Sequence, residues 1–148
     1  MSERSANEAP RKSAGGVVAC LGDILLVWKQ GGKREGWTLP KGGSKRGETP
    51  PETAAREILE ESRLIVEIGA HLGTVIRPSI HPGYENVIKR VEVYATHWDG
   101  GIDDSRLPDE VCGWVGFDEA VVDGIMRYTE ERDLLVAHRE IILATGVR

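Results

Sequence analysis

A chain of 148 residues, 40% of them hydrophobic, is the size of one domain. Such a chain buries roughly 70% of its unfolded surface, so its fold needs no disulfide or metal staple. A net charge of −5 excludes a general nucleic-acid binder, which carries a basic excess, and no apolar stretch is long enough to span a membrane.

Residues 1–13 are polar, carry both charge signs and precede no apolar run of signal-peptide type. They are expected to form a mobile tail ahead of a single domain at 14–148. Gly15–Cys20 and Ile24–Trp28 are apolar, β-branched runs, and Leu21-Gly22-Asp23 between them reads as a hairpin turn. Gln30–Gly36 is a glycine-rich loop. Trp37–Leu39 is a short strand stopped by Pro40, and Lys41–Gly47 reads as a second, cationic loop.

A helix start follows. Thr49 suits the N-cap, Pro50 the first turn, and Glu52 completes a capping box, so the helix should run to about Ser62. Leu64–Ile76 returns to strand with a bend near Gly69 or Gly73. Pro78–Asn86 is a loop. Val87–Trp98 is the longest expected strand, with Val87, Val91, Val93 and Ala95 on one face and Ile88, Arg90, Glu92, Tyr94 and Thr96 on the other. A polar loop at Asp99–Asp109, a strand at Val111–Phe117 and helices at Asp118–Ile125 and Glu130–Ala144 complete the chain. The order predicts an α/β fold, a mixed sheet between helices in an α/β/α sandwich. Cys20 and Cys112 lie far apart in apolar runs and read as reduced core residues, which suits a cytoplasmic protein. His71, His81, His97 and His138 have no zinc-ligand spacing with them.

The chemistry concentrates in residues 42–64. On the predicted helix Glu57 and Glu61 lie about 40° apart and Glu60 about 60° from Glu57. Ala54, Ala55, Ile58 and Leu59 form an opposing apolar stripe. Three carboxylates beside a buried face repel one another unless a cation neutralises them, and oxygen-only ligands suit Mg²⁺ or Mn²⁺. A plain solvated acidic face would explain the charges. It would not explain the glycine loop and Glu48 upstream.

Gly42, five residues, Glu48, seven residues and then Arg56-Glu57-Ile58-Leu59-Glu60-Glu61 resembles the Nudix box, the signature of hydrolases that cleave a nucleoside diphosphate linked to another moiety. One position departs, since Arg63 stands where the family has a glycine that ends the helix in a left-handed turn. The resemblance implies a loop–helix–loop holding two or three divalent cations, Mg²⁺ or Mn²⁺. Glu57 and Glu61 would be the principal ligands, Glu60 a third, and the Gly42 carbonyl another. Glu48 would add a ligand directly or through water, and Arg56 would orient a carboxylate. The implied reaction is attack of water on a phosphorus atom, with cations polarising the phosphoryl oxygens. The base is Glu57, within the box, or Glu110, in the loop before the strand that carries Trp114.

Trp37-Thr38-Leu39-Pro40-Lys41-Gly42 resembles the corresponding segment of family members that cleave diadenosine polyphosphates, and of their diphosphoinositol relatives. That likeness implies dinucleoside polyphosphates, of the diadenosine tetra- to hexaphosphate type, as substrates. Lys41, Lys45 and Arg46 would contact the phosphates, with Lys33, Arg34, Arg77, Lys89 and Arg90 extending the positive surface. Tyr84 and His81 are the expected base-binding residues, with Tyr94 the alternative if its strand face lines the cleft. The expected partner is a small nucleotide or polyphosphate, with no nucleic acid as primary ligand and no membrane, bound by a monomer or homodimer. The competing readings are a nucleoside triphosphate pyrophosphatase, a diphosphoinositol polyphosphate phosphatase and a non-catalytic nucleotide-sensing module.

Overall fold

The computed structural model describes residues 11–30, 35–79, 83 and 87–145. The strands are β1 (Arg11–Val17), β2 (Ala19–Cys20), β3 (Asp23–Lys29), β4 (Gly36–Thr38), β5 (Lys41–Gly43), β6 (Glu67–Pro78), β7 (Ile88–His97) and β8 (Val111–Gly116). The helices are α1 (Pro50–Ser62), between β5 and β6, then α2 (Phe117–Ala120), α3 (Thr129–Ala137) and α4 (Arg139–Thr145) after β8. One sheet has the order β5-β1-β7-β6 and is mixed, because β1 runs parallel to β7. The other joins β2, β3 and β4, with β8 also paired to β3, and is antiparallel.

Alternation along the strands divides the apolar residues between two cores. Val17, Ala19, Ile24, Leu26, Val91, Val93 and Ala95 pack with Leu135 of α3 and Ile142 of α4. Val18 and Leu25 point the other way and pack with Ile58 of α1 and Leu64. The sheets therefore lie between α1 and the α3–α4 pair, the α/β/α sandwich that the element order predicts. Val91, Val93 and Ala95 of β7, expected on one face, are buried, Val91 and Ala95 completely.

Several boundaries differ from the sequence reading. Residues 11–13, expected in the tail, belong to β1, where Ser13 pairs with Val91 on one side and Gly43 on the other. Backbone hydrogen bonds to two neighbours hold a segment whose side chains carry no strand signal; residues 1–10 lie outside the described set. Lys41–Gly43, expected as loop, forms β5 against β1, with Gly15 opposite Lys41. A side chain at Gly15 would meet the Pro40 carbonyl oxygen at 2.2 Å, so this approach requires glycine. The longest strand is β6, at 12 residues, and its register shifts fall between Ile68 and Gly73, where the bend was expected. The helix expected at 118–125 stops at Ala120. The one expected at 130–144 breaks at His138, whose φ of −124° is not helical. Cys20 and Cys112 are free and half-buried. Among the described residues no helix is long and apolar enough to cross a membrane.

Helix α1 begins as its sequence dictates. Thr49 accepts from the Glu52 amide at 3.3 Å, and the Glu52 carboxylate accepts from the Thr49 amide at 2.9 Å. It ends at Arg63, which is left-handed (φ 71°, ψ −1°) and donates its amide to the Leu59 carbonyl at 2.8 Å. The family's turn survives without its glycine because the arginine is anchored. Its Nε donates to the Asp103 carbonyl at 3.2 Å, its guanidinium meets Asp104 at 3.2 Å, and its carbonyl accepts from the Asp103 amide at 2.9 Å. Strain of roughly 1–2 kcal/mol is thus set against one side-chain hydrogen bond and one exposed ion pair. Arg63→Gly should accordingly change stability by less than about 1 kcal/mol. Arg63→Ala, which keeps the strain and loses the anchor, should lower it by about 1 kcal/mol or more. Thermal denaturation of the two variants checks this, and a glycine variant less stable than the alanine one would contradict it.

Candidate active site

The box folds around Arg56. Its Nε and a terminal nitrogen grip both oxygens of Glu48 at 2.7 and 2.9 Å. The other terminal nitrogen reaches Glu57 at 2.8 Å and Glu60 at 3.2 Å. A further bond runs to the Gly43 carbonyl at 2.8 Å. Glu48 also accepts from the Lys45 amide at 2.9 Å and the Thr53 hydroxyl at 2.8 Å. These bonds, Arg56 first and Lys45 second, hold its carboxyl well below the usual carboxylate range. Through these bonds Glu48 fixes the loop onto α1 and orients Arg56.

Glu57 lies directly under Gly42, where any side chain would overlap its carboxylate, with contacts of 2.1–2.3 Å. The glycine lets the β5 backbone approach this carboxylate. Glu61 is 5% exposed. Burial pushes its carboxyl up, opposed by Lys29 and by the Lys41 amide, which donates to Oε1 at 2.9 Å. Lys29, at the end of β3, bonds the other Glu61 oxygen and reaches Glu110 at 3.0 Å. Burial opposes the charge on Lys29, but Glu61 and Glu110 outweigh it and raise its pKa. The Asp109 amide donates to the Glu60 carbonyl at 2.9 Å, which stitches the Glu110 segment to the end of α1. Cys112 sits beside this group with its thiol pushed up to about 11, first by burial and then by Glu61 and Glu110. It is therefore a neutral thiol, not a nucleophile.

Among the described residues no three carboxylate, imidazole or thiol groups stand ready to enclose an ion. Arg56 holds Glu57 and Glu60, and Lys29 holds Glu61. The donor set nevertheless fits a hard divalent cation: three carboxylates on one helix beside a backbone brought close by Gly42, with oxygen donors only.

Helix α1 covers only part of the sheet face it packs on. Gly16 of β1 lies under Ile58, where a side chain would meet the isoleucine at 3.1 Å. Beyond the helix the same face is open and forms one wall of a cleft of about 840 Å³. Lys12, Lys45, Arg46 and Arg90 line it with His71 and Tyr94. The two rings lie 5.1 Å apart and tilted at 56°. Gly43 and Glu48, both held by Arg56, also line it, so the cleft borders the box.

The structure therefore gathers Gly42, Glu48, Arg56, Glu57, Glu60, Glu61 and Glu110 along one side of α1, and places Lys45, Arg46, Arg90 and Tyr94 in the adjoining cleft. Lys41 departs from expectation. It is 7% exposed, and its ammonium pairs with Glu131 at 2.6 Å and lies 4.9 Å from the Tyr128 ring centroid. Alternation along β5 sends Gly42 toward Glu57 and the Lys41 side chain toward α3. Arg77 is likewise buried, stacked 3.7 Å from the Tyr128 centroid. His81, Tyr84, Lys33 and Arg34 lie outside the described residues. Sequence reading missed Lys29, Lys12 and His71. The strand alternation that places Lys29 on the face of Leu25 was a usable signal for its direction, but its partners are 32 and 81 positions away.

A model of the NUDIX domain matches residues 10–140. The chain belongs to the NUDIX family. This NUDIX domain is 39% identical over 101 residues to an 8-oxo-(d)GTP phosphatase of Mycolicibacterium smegmatis, covering 67% of the chain and 29% of that protein. It is 38% identical over 52 residues to an RNA pyrophosphohydrolase of Xanthomonas campestris pv. campestris, covering 35% of the chain and 25% of that protein. The chain thus spans less than a third of either relative. A NUDIX hydrolase from Nitrosomonas europaea superposes with a TM-score of 0.74 at 17% identity, over 93% of this chain and 92% of that one. A C. elegans Ap4A hydrolase binary complex gives 0.72 at 23%, over 90% and 98%. At such identities these two matches speak for the fold alone.

Because Lys41 compensates the completely buried Glu131, Lys41→Met should destabilise the NUDIX domain by about 3 kcal/mol or more. Its effect on selectivity among nucleotides should be small. Thermal denaturation with kcat/KM ratios checks both, and altered selectivity at unaltered stability would return Lys41 to the substrate.

Proposed function

We propose that the chain is a divalent-metal-dependent hydrolase of phosphoanhydrides in nucleotide polyphosphates, and that dinucleoside polyphosphates with four or more phosphates are its preferred class. The observation that carries the reading is the convergence of Glu57, Glu60, Glu61 and Glu110 beside Gly42 at the edge of a cationic cleft. Glu57, Glu60, Glu61 and the Gly42 carbonyl would hold two or three Mg²⁺ or Mn²⁺ ions. Bound there, the ions would supply positive charge to the phosphoryl oxygens and lower the pKa of the attacking water.

The chain's own groups do the rest. Arg56, fixed by Glu48, sets the directions of Glu57 and Glu60. Glu110 takes the proton of the attacking water, because the box carboxylates would be committed to divalent ions, which weaken a base more than the single charge of Lys29 beside Glu110 does. Lys12, Lys45, Arg46 and Arg90 hold the remaining phosphates, and Tyr94 with His71 offers a platform for a base. Four cations along one cleft suit a longer polyanion than a triphosphate, and this support does not depend on Lys41. The aromatic platform speaks against an inositol pyrophosphate, which has no base to stack. The full set of box glutamates speaks against a sensing module.

The mycobacterial relative favours a second reading, a nucleoside triphosphate pyrophosphatase. Glu92 favours it too: it lies in the cleft, where it accepts from Thr74 and contacts His71, and a carboxylate there suits the N–H donors of a guanine edge. A hydrolysis panel decides, comparing diadenosine tetra- to hexaphosphates, normal and 8-oxo nucleoside triphosphates, triphosphorylated RNA and inositol pyrophosphates. The highest kcat/KM is expected for the dinucleotides. A tenfold preference for any triphosphate would overturn that class while leaving the hydrolase.

Glu57→Gln and Glu61→Gln should each lower kcat at least about a hundredfold, near 2.7 kcal/mol, and weaken Mn²⁺ binding with the fold intact. Glu110→Gln should lower kcat and leave Mn²⁺ affinity nearly unchanged. Kinetics and calorimetric titration check the set. Near-normal turnover in both box variants would move the metal site elsewhere, and weakened Mn²⁺ binding in the Glu110 variant would make Glu110 a ligand.

A further inference from the structure

Lys29 and Arg56 both neutralise carboxylates of the site, but they are held differently. Arg56 has a two-pronged grip on Glu48 and a bond to the Gly43 carbonyl, so it keeps its place whatever becomes of Glu57 and Glu60. Among the described residues Lys29 is hydrogen-bonded only to Glu61 and Glu110. Of the two Glu61 oxygens, Oε1 is turned to the Lys41 amide, which leaves Oε2, the one Lys29 holds. A cation ligated through Oε2 and the Lys29 ammonium compete for one atom. An ammonium on a flexible four-carbon stem can leave that contact without disturbing the backbone.

We propose that Lys29 is the resident counter-cation of the metal-free site. It neutralises Glu61 and Glu110 until a divalent ion takes Glu61, and it is then displaced from that oxygen. Without Lys29, the metal-free protein would keep Glu61, at 5% exposure, with a negative charge and no cation beside it. Lys29 is thus a positioning residue. It keeps the end of α1 and the Glu110 segment in place before loading, and it sets how tightly the ion binds. The inference rests on the metal-binding reading of the box.

Its consequences follow from linkage, because a contact present only in the metal-free state stabilises that state and opposes binding equally. The test compares the wild-type chain with Lys29→Met by calorimetric titration with Mn²⁺ and by thermal denaturation with and without the ion. The variant is expected to bind Mn²⁺ about tenfold more tightly. Its melting temperature should fall clearly in chelator and much less at saturating Mn²⁺. A strut that persists in the loaded state would lower both melting temperatures alike and leave affinity unchanged. A remote charge would raise affinity without the loss of metal-free stability. Either outcome overturns the proposal.

If the variant does not fold in chelator, the wild-type protein still decides. Amine labelling of Lys29, followed by mass spectrometry, should quicken when Mn²⁺ is added, and unchanged or slower labelling refutes displacement. A wild-type chain that binds no Mn²⁺ would instead remove the metal-binding reading on which the inference stands.

Discussion

The organisation of this protein turns on compensating negative charge where one side of α1 meets two strands. Glu48, Glu57, Glu60, Glu61 and Glu110 are strung along that side, and water reaches Glu61 only slightly. Uncompensated, such a cluster would push its members apart or protonate them. Arg56 binds one flank into a hydrogen-bonded network, and Lys29 closes the other. Each cation comes from an element that packing already fixes, Arg56 from α1 beside its buried stripe and Lys29 from β3 in the second sheet. The carboxylates are therefore gathered without any of them having to hold the fold together by itself.

Backbone proximity is the second requirement. β5 must come close enough to β1 to pair and close enough to α1 for its backbone to reach Glu57. Gly15 permits the first approach and Gly42 the second. Lys41, between them in space, is turned inward and tied to Glu131 of α3. Glu131 also accepts from the Thr38 hydroxyl and the Leu39 amide, so one buried carboxylate grips the strand on both sides of Pro40. The glycine loop is held at the site from behind, by the helix layer on the far face of the sheet.

What the sequence revealed divides along the same line. Local rules are legible, so the capping box of α1, the two faces of β7 and the bend in β6 stand where pattern places them. The carboxylate constellation was legible too, because helical periodicity fixes Glu57, Glu60 and Glu61 relative to one another. Lys41 was not. A lysine between proline and two glycines carries no sign of burial, and its partner Glu131 lies 90 positions on. The same holds for Lys29, whose partners come from a helix and a distant loop. Arg63 was half legible: the left-handed turn follows from the family pattern, while the anchor at Asp103 and Asp104 is a tertiary contact. Long-range pairing of charges is what single-sequence patterning lacks, and it is what completes this site.

The cleft follows from how α1 sits on its sheet. Small residues, Ala14 and Gly16, occupy the strand where the helix is close, and long polar ones, Lys12, Arg90 and Glu92, occupy the face beyond it. The same strands that form the floor under the carboxylates thus continue as the wall of the cleft. A substrate lying on that wall with a phosphate at the box meets carboxylates at one end and cations along its length. Repulsion between its phosphates and the box glutamates would forbid that placement unless ions stood between them. On that reading metal binding and substrate binding would be coupled by electrostatics: each divalent ion entering the box would convert a surface that repels phosphate into one that attracts it, while the cations of the cleft remained where the strands hold them.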